Sequence, residues 1–204
     1  MSSTTAPRLA PLPREGWGGD EAAALRTGFG ARAADRLTAT GPDAVPVPNV
    51  VGTLMHHPGL AGPFLAYNNV LLQAPALEPR HRELLVLRVA WRARSRYELV
   101  QHARLAARLG ITGDEIAAIA GGDPVDWTPL ERALLDATDQ LVDGYRVDDA
   151  TWNRLAEHLD ERQLVELVFV VGTYVGLAMA FNSFGLQIDP DLQELDHTLP
   201  EFEE

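Results

Sequence analysis

No cysteine occurs in the 204 residues. That absence removes disulfides, thiolate metal sites and thiol redox chemistry together, because each needs sulfur as nucleophile or ligand. Positive charge is scarce as well: 17 Lys and Arg stand against 29 Asp and Glu, a formal net charge of -12. Phosphate backbones and anionic membrane surfaces are met by clustered basic side chains, so neither nucleic acid nor a membrane is an expected partner. The opening "MSSTTAPRLAPLPREGWGG" lacks the apolar centre of a secretory signal, which makes a cytoplasmic location the expectation. Long hydrophobic runs are missing too. The nearest, Leu167 to Phe181, is fifteen uncharged residues with Gly172 and Gly176 inside it. That is short of the roughly 20 needed to cross a bilayer, and the run reads as a central core helix. No stretch carries a competing strand pattern.

What is present is helix, so the fold class is all-α. A hydrophobic content of 46% suits one well-buried core and a single domain. The Pro-, Gly- and Ser-rich residues 1–20 read as an arm, 21–190 as the helical domain and 191–204, ending "DHTLPEFEE", as an acidic tail, disordered or docked on a partner. The spacing predicts a helix from Glu21 to Ala39 and another over 49–73 interrupted at His57 and Pro58. Further helices are predicted over 78–93, 95–110, 112–122, 128–144, 148–159 and 160–185, each opened by a Ser, Thr, Asp or Pro signal and mostly closed by Gly. "RELLVLRVAW" and "VELVFVVGTY" echo each other, with Glu83 over Glu166 and Trp91 over Tyr174. The echo raises two degenerate helical units, against the plainer alternative that any two apolar helices with an early glutamate look alike.

Chemistry concentrates in "SRYELVQH". Glu98 and His102 are four residues apart, which stacks them on one helix face. A bland alternative stands beside it: "SRYE" is a capping-box pattern, in which Ser95 and Glu98 satisfy each other's backbone. His102 borders the apolar stripe that contains Leu105, Ala106 and Leu109. Glu83 sits in the middle of another stripe, on an arc with Val86, Leu87, Ala90 and Trp91. A carboxylate buried unpaired is costly, so Glu83 must be neutral or face a cation, and His102 is the natural partner.

The run from Leu77 to Ile119 resembles the carboxymuconolactone decarboxylase family, which also holds the alkyl hydroperoxidase D-like proteins. The resemblance extends more loosely to "LVELVFVVGTYVGLAMAFNSFG". In the peroxidase-like branch a glutamate on one helix is followed by Cys-x-x-Cys and a histidine four residues later. Glu83 and His102 match the glutamate and histidine, whereas Ser95 and Glu98 stand where the cysteines would be. The thiols being gone, disulfide-based peroxide reduction is excluded. What the resemblance implies is an alkyl hydroperoxidase D-like helical bundle, a homo-oligomer, and the acid-base chemistry of the decarboxylase branch.

On that basis the expected activity is a cofactor-free lyase acting on a small carboxylated lactone or unsaturated acid. His102 is the expected proton donor, Glu83 orients or charges its ring, and Glu98 assists proton transfer or grips substrate. Ser95 and Tyr97 are the expected substrate-binding donors at the helix start. The same residues would serve isomerisation or lactone hydrolysis, and a catalytically silent ligand-binding oligomer is the rival of a different class. No metal is expected. His56, His57 and His81 are eligible ligands with Glu83, Glu98 and His102, but the first two read as a solvated turn. Arg88, Arg92, Arg94 and Arg96 form either a carboxylate-binding cluster or, more simply, a solvated face.

Overall fold

The computed structural model describes residues 6–41, 44–122 and 125–202. Among them are eleven α-helices, two 3-10 turns and no strand. By Cα packing the chain divides into two compact units, 1–74 with 183–189, and 75–182 with 190–204. The expected arm, domain and tail boundaries do not coincide with this division.

The first unit holds α1 (Gly19–Phe29), α2 (Ala31–Thr38), α3 (Asn49–Leu54) and α4 (Pro58–Gln73). The single helix predicted over Glu21 to Ala39 is two, because Gly30 adopts a φ of 81°, a left-handed conformation that ends α1 and re-aims the chain into α2. α1 and α4 pack closely, and a Cβ added at Gly28 would collide with Leu65. Leu12 and Trp17 of the arm pack on the unit's core of Leu25, Met55 and Leu65. The described part of the arm is therefore built in, and its first five residues lie outside the description.

The second unit holds α5 (Pro79–Arg92), α6 (Arg96–Arg108), α7 (Gly113–Ile119), α8 (Pro129–Gly144), α9 (Asp149–Ala156), α10 (Glu161–Phe184, through Asn182) and α11 (Gln193–Asp196). Two real capping boxes start α7 and α8: Thr112 with Glu115, and Thr128 with Glu131. α5 is the central element, packed on α6, α7 and α8, with Leu84, Leu87 and Ala90 joining Leu99, Ala103, Ile116 and Ile119 in one apolar cluster. Leu195, Leu199 and Phe202 pack on the same cluster, and Arg96 binds Asp196 and the Pro200 carbonyl. The described tail is thus docked on its own chain, and only Glu203 and Glu204 lie outside the description. α10 runs 24 residues, beyond the fifteen-residue apolar run, because polar turns extend it at both ends. By length and composition it could cross a membrane. Its Leu164, Leu167, Val170, Val171, Tyr174, Ala178 and Phe181 are nevertheless buried within the chain, as the core reading expects.

Candidate functional site

Glu83, on the inner face of α5, is 0% exposed and His102, on α6, is 8% exposed. His102 Nδ1 lies 2.7 Å from Glu83 Oε2. A carboxylate only accepts, so the proton in that bond sits on Nδ1. The other carboxylate oxygen, Oε1, accepts from Arg82 Nε at 3.1 Å and Nη2 at 2.8 Å. Burial pushes the Glu83 carboxyl up, but the charge and hydrogen bond of His102, with those of Arg82, outweigh it and hold Glu83 below the usual carboxylate range. Glu83 is therefore the ionised centre of the cluster.

Glu98 is the opposite case. It is 2% exposed, and both of its oxygens are buried without a hydrogen bond. Burial pushes its carboxyl up to about 8, with a smaller opposing pull from the nearby Ser95 hydroxyl. At neutral pH Glu98 is a protonated acid.

Ser95 precedes α6 as its N-cap, yet its side chain makes no capping bond, and its Oγ is also buried without a partner. The capping box read from "SRYE" does not form, unlike the two at α7 and α8. The Ser95 amide, which Glu98 would have to reach in a capping box, instead donates to the Ala90 carbonyl at 2.8 Å and closes the tight α5–α6 turn. Tyr97 is buried, its ring edge-on to Phe181 at 5.3 Å and its hydroxyl accepting from Gln101 at 3.1 Å.

Two members were not foreseen as site residues. Arg82 went unsuspected because neighbouring helix positions do not normally face each other. Tyr174 comes from α10, its ring perpendicular to the His102 imidazole at 89° and 4.9 Å. Burial and the Glu83 charge push its phenol up, with Arg82 opposing and Glu98 adding. Tyr174 thus shares the field of all three. The Glu166 that echoes Glu83 does different work, accepting the amides of Ala76 and Leu77 at 2.8 to 2.9 Å and so tying the approach to α5.

The eligible metal ligands do not gather: no group of three or more spaced to hold an ion occurs among the described residues. His56 Nε2 meets the Ala10 carbonyl at 2.8 Å, and His57 Nδ1 accepts the Leu60 amide at 3.2 Å at the start of α4. The arginines are not a solvated face. Arg88 and Arg92 both bind Asp139 at 2.7 Å and Arg92 also binds Asp143, whereas Arg94 is exposed. A cavity of about 640 Å³ beside Trp91, Arg94 and Phe202 includes none of the Glu83 cluster.

Residues 58–140 match the model of the Carboxymuconolactone decarboxylase family, a span that contains Arg82, Glu83, Ser95, Tyr97, Glu98 and His102. An uncharacterized protein of Bacillus subtilis, YdfG, is 30% identical over 93 residues, 44% of this chain and 63% of that protein, so the match spans under two thirds of the relative's length. A peroxidase-related protein with an alkylhydroperoxidase D core, from Ralstonia eutropha, superposes with a TM-score of 0.72 at 20% identity, over 97% of this chain and 100% of that one. The debrominase Bmp8, as a cysteine-to-alanine variant in complex with 2,3,4-tribromopyrrole, superposes with a TM-score of 0.71 at 18% identity, over 97% and 100%. These two likenesses establish the fold as alkyl hydroperoxidase D-like and all-helical.

Proposed function

We propose that the chain, whose residues 58–140 match the carboxymuconolactone decarboxylase family model, is a member of that family and a cofactor-free lyase acting on a small carboxylated lactone or unsaturated acid. Glu98 carries the reading: a buried carboxyl with neither oxygen hydrogen-bonded to the protein, one helical turn from an imidazole already anchored by its other edge. A buried polar group left unsatisfied costs stability, and perturbed acids of this kind concentrate where a ligand is to meet them.

In the proposed reaction the bond from the carboxylate carbon to its neighbour breaks and carbon dioxide leaves. The electron pair stays on the substrate as a dienolate. Protonated Glu98 delivers its proton to that carbon, and a proton from water, relayed by His102, restores the acid. One proton is taken from solvent for each carbon dioxide released. Glu83 holds the His102 ring in place throughout. Ser95 and Tyr97 remain the proposed donors to a substrate oxygen, and the Gln101 bond fixes where the Tyr97 hydroxyl stands. Any step that needs a thiol, disulfide-based peroxide reduction included, is closed to a chain without cysteine. The same acid and imidazole favour a second reading, in which a proton is moved without loss of carbon dioxide, as in isomerisation or lactone opening.

We also propose a homo-oligomer in which α10 contributes to the contact, since Val165 and Phe169 are 59% and 54% exposed on that helix. The activity is tested by incubating metal-free protein with a panel of carboxylated lactones and unsaturated acids and measuring carbon dioxide. Release by the wild-type protein, reduced about 100-fold or more in His102→Ala, is the expected result. Product without carbon dioxide would select the isomerase or hydrolase. No product from any member would overturn both and leave a ligand-binding oligomer.

A further inference from the structure

We propose that Arg82 is the positioning residue of this site: beside the titratable His102 it is the permanent counter-ion of Glu83, so the carboxylate keeps a partner charge when His102 is an Nδ1–H imidazole whose Nε2 is the reacting atom. The use of Nε2 in turnover rests on the lyase reading above. The placement of charge on Arg82 does not.

The geometry divides the Glu83 carboxylate between two neighbours. Oε1 takes both Nε and Nη2 of Arg82, at 3.1 and 2.8 Å, and Oε2 takes only His102 Nδ1 at 2.7 Å. All of this is out of water, with Arg82 7% and Glu83 0% exposed. A carboxylate so buried requires a nearby positive charge. If the imidazole were the sole source, it would have to be protonated on both nitrogens whenever Glu83 is ionised, and Nε2 would have no lone pair to relay a proton. A guanidinium is charged at every working pH and presents its N–H groups as a fixed fork. Arg82 therefore supplies a permanent charge, and Glu83 keeps a partner even when the imidazole carries none.

The remaining groups around the ring agree with this division. Tyr174 of α10 stands edge-on to the imidazole and fixes its plane. Glu98 of α6 is protonated at neutral pH, so it brings no second negative charge to the cluster. His102 and Arg82 act on the Glu83 carboxylate, and Glu83, Arg82 and Glu98 act on the Tyr174 phenol. Among the described residues Nε2 has no hydrogen-bond partner, which leaves it for a substrate or water.

The test compares wild type, Arg82→Met and Arg82→Lys, full-length and without substrate, by carboxyl-carbon and imidazole-nitrogen NMR against pH, followed by turnover on whichever panel member is active. In the wild type, Glu83 should stay ionised below the ordinary carboxylate range and Nε2 should be the bare nitrogen at pH 8. Arg82→Met should raise the Glu83 midpoint by about one unit or more, the effect of removing an adjacent opposite charge. The acid limb of turnover should rise with it. Arg82→Lys keeps the charge and should restore both readouts to near wild type, which also covers the case in which Arg82→Met fails to fold. A Glu83 midpoint unmoved in folded Arg82→Met, a midpoint in Arg82→Lys displaced as far as charge loss would displace it, or a wild-type ring with its proton on Nε2 at pH 8 would overturn the proposal. Because the NMR readouts need no substrate, absence of turnover would sink the lyase reading alone.

Discussion

At the scale of the residue, Glu98 makes the stability of this chain depend on pH in an unusual direction. Its carboxyl is pushed up to about 8, so between the ordinary carboxylate value and about 8 the folded chain holds a proton that the unfolded chain has released. Stability is governed by that difference, and it falls as pH rises through the window. Below the ordinary carboxylate value both states are protonated and nothing is lost. Glu98→Gln removes the titrating group, so it should melt with the wild type at pH 4 and above it at pH 8, by on the order of a few kcal/mol. Thermal melts at the two pH values check this, and parallel melts would mean that Glu98 ionises normally in the folded chain. Ser95→Ala provides a contrast. A working N-cap is worth ~1 kcal/mol, whereas the Ser95 hydroxyl makes no capping bond, so Ser95→Ala should cost less in a chemical denaturation curve than Thr128→Ala does. The partnership of Glu83 and His102 was legible in the sequence because a carboxylate in mid-stripe demands a cation. The fate of "SRYE" was not, since the same four letters permit a cap and a site. The turn geometry at Ser95 rules out the cap, and the site is what we propose in its place. Tyr174 was invisible as a site residue because only tertiary packing brings α10 to α6.

At the scale of the element, the helix pattern was legible nearly throughout, and the departures have particular causes. Gly30 divides one predicted helix into two, and three apolar residues of an acid-rich tail, expected to be disordered or docked on a partner, pack on the chain's own core. The arginines of α5 show what a single helix cannot reveal. Arg88 and Arg92 occupy polar positions, but Asp139 of α8 bridges them and turns a nominally solvated face into the α5–α8 seam. These side chains are each between 21% and 28% exposed, so the network is partly screened. Asp139→Ala should cost about 1 kcal/mol of unfolding free energy, and the gap from wild type should narrow in 1 M salt. A gap that holds at high salt would show that Asp139 stabilises by packing, not by charge.

At the scale of the whole molecule, the absence of cysteine, an ionised Glu83 and a protonated Glu98 are the features on which the proposed acid-base chemistry rests. The proposed oligomer follows from the exposed apolar face of α10. Light scattering at micromolar concentration should give a mass at least twice the 22.2 kDa of one chain, and a monomer mass would contradict it. The measurement that bears most directly on function is turnover in heavy water of a carboxylated lactone or unsaturated acid, by wild type, Glu98→Gln and His102→Ala, with Thr128→Ala as a folded control. The wild type and the control should release carbon dioxide and place one deuterium on the vacated carbon, and both site variants should fall by about 100-fold or more. Carbon dioxide release at the wild-type rate from folded Glu98→Gln and His102→Ala would contradict the assignment of this cluster as the site of reaction.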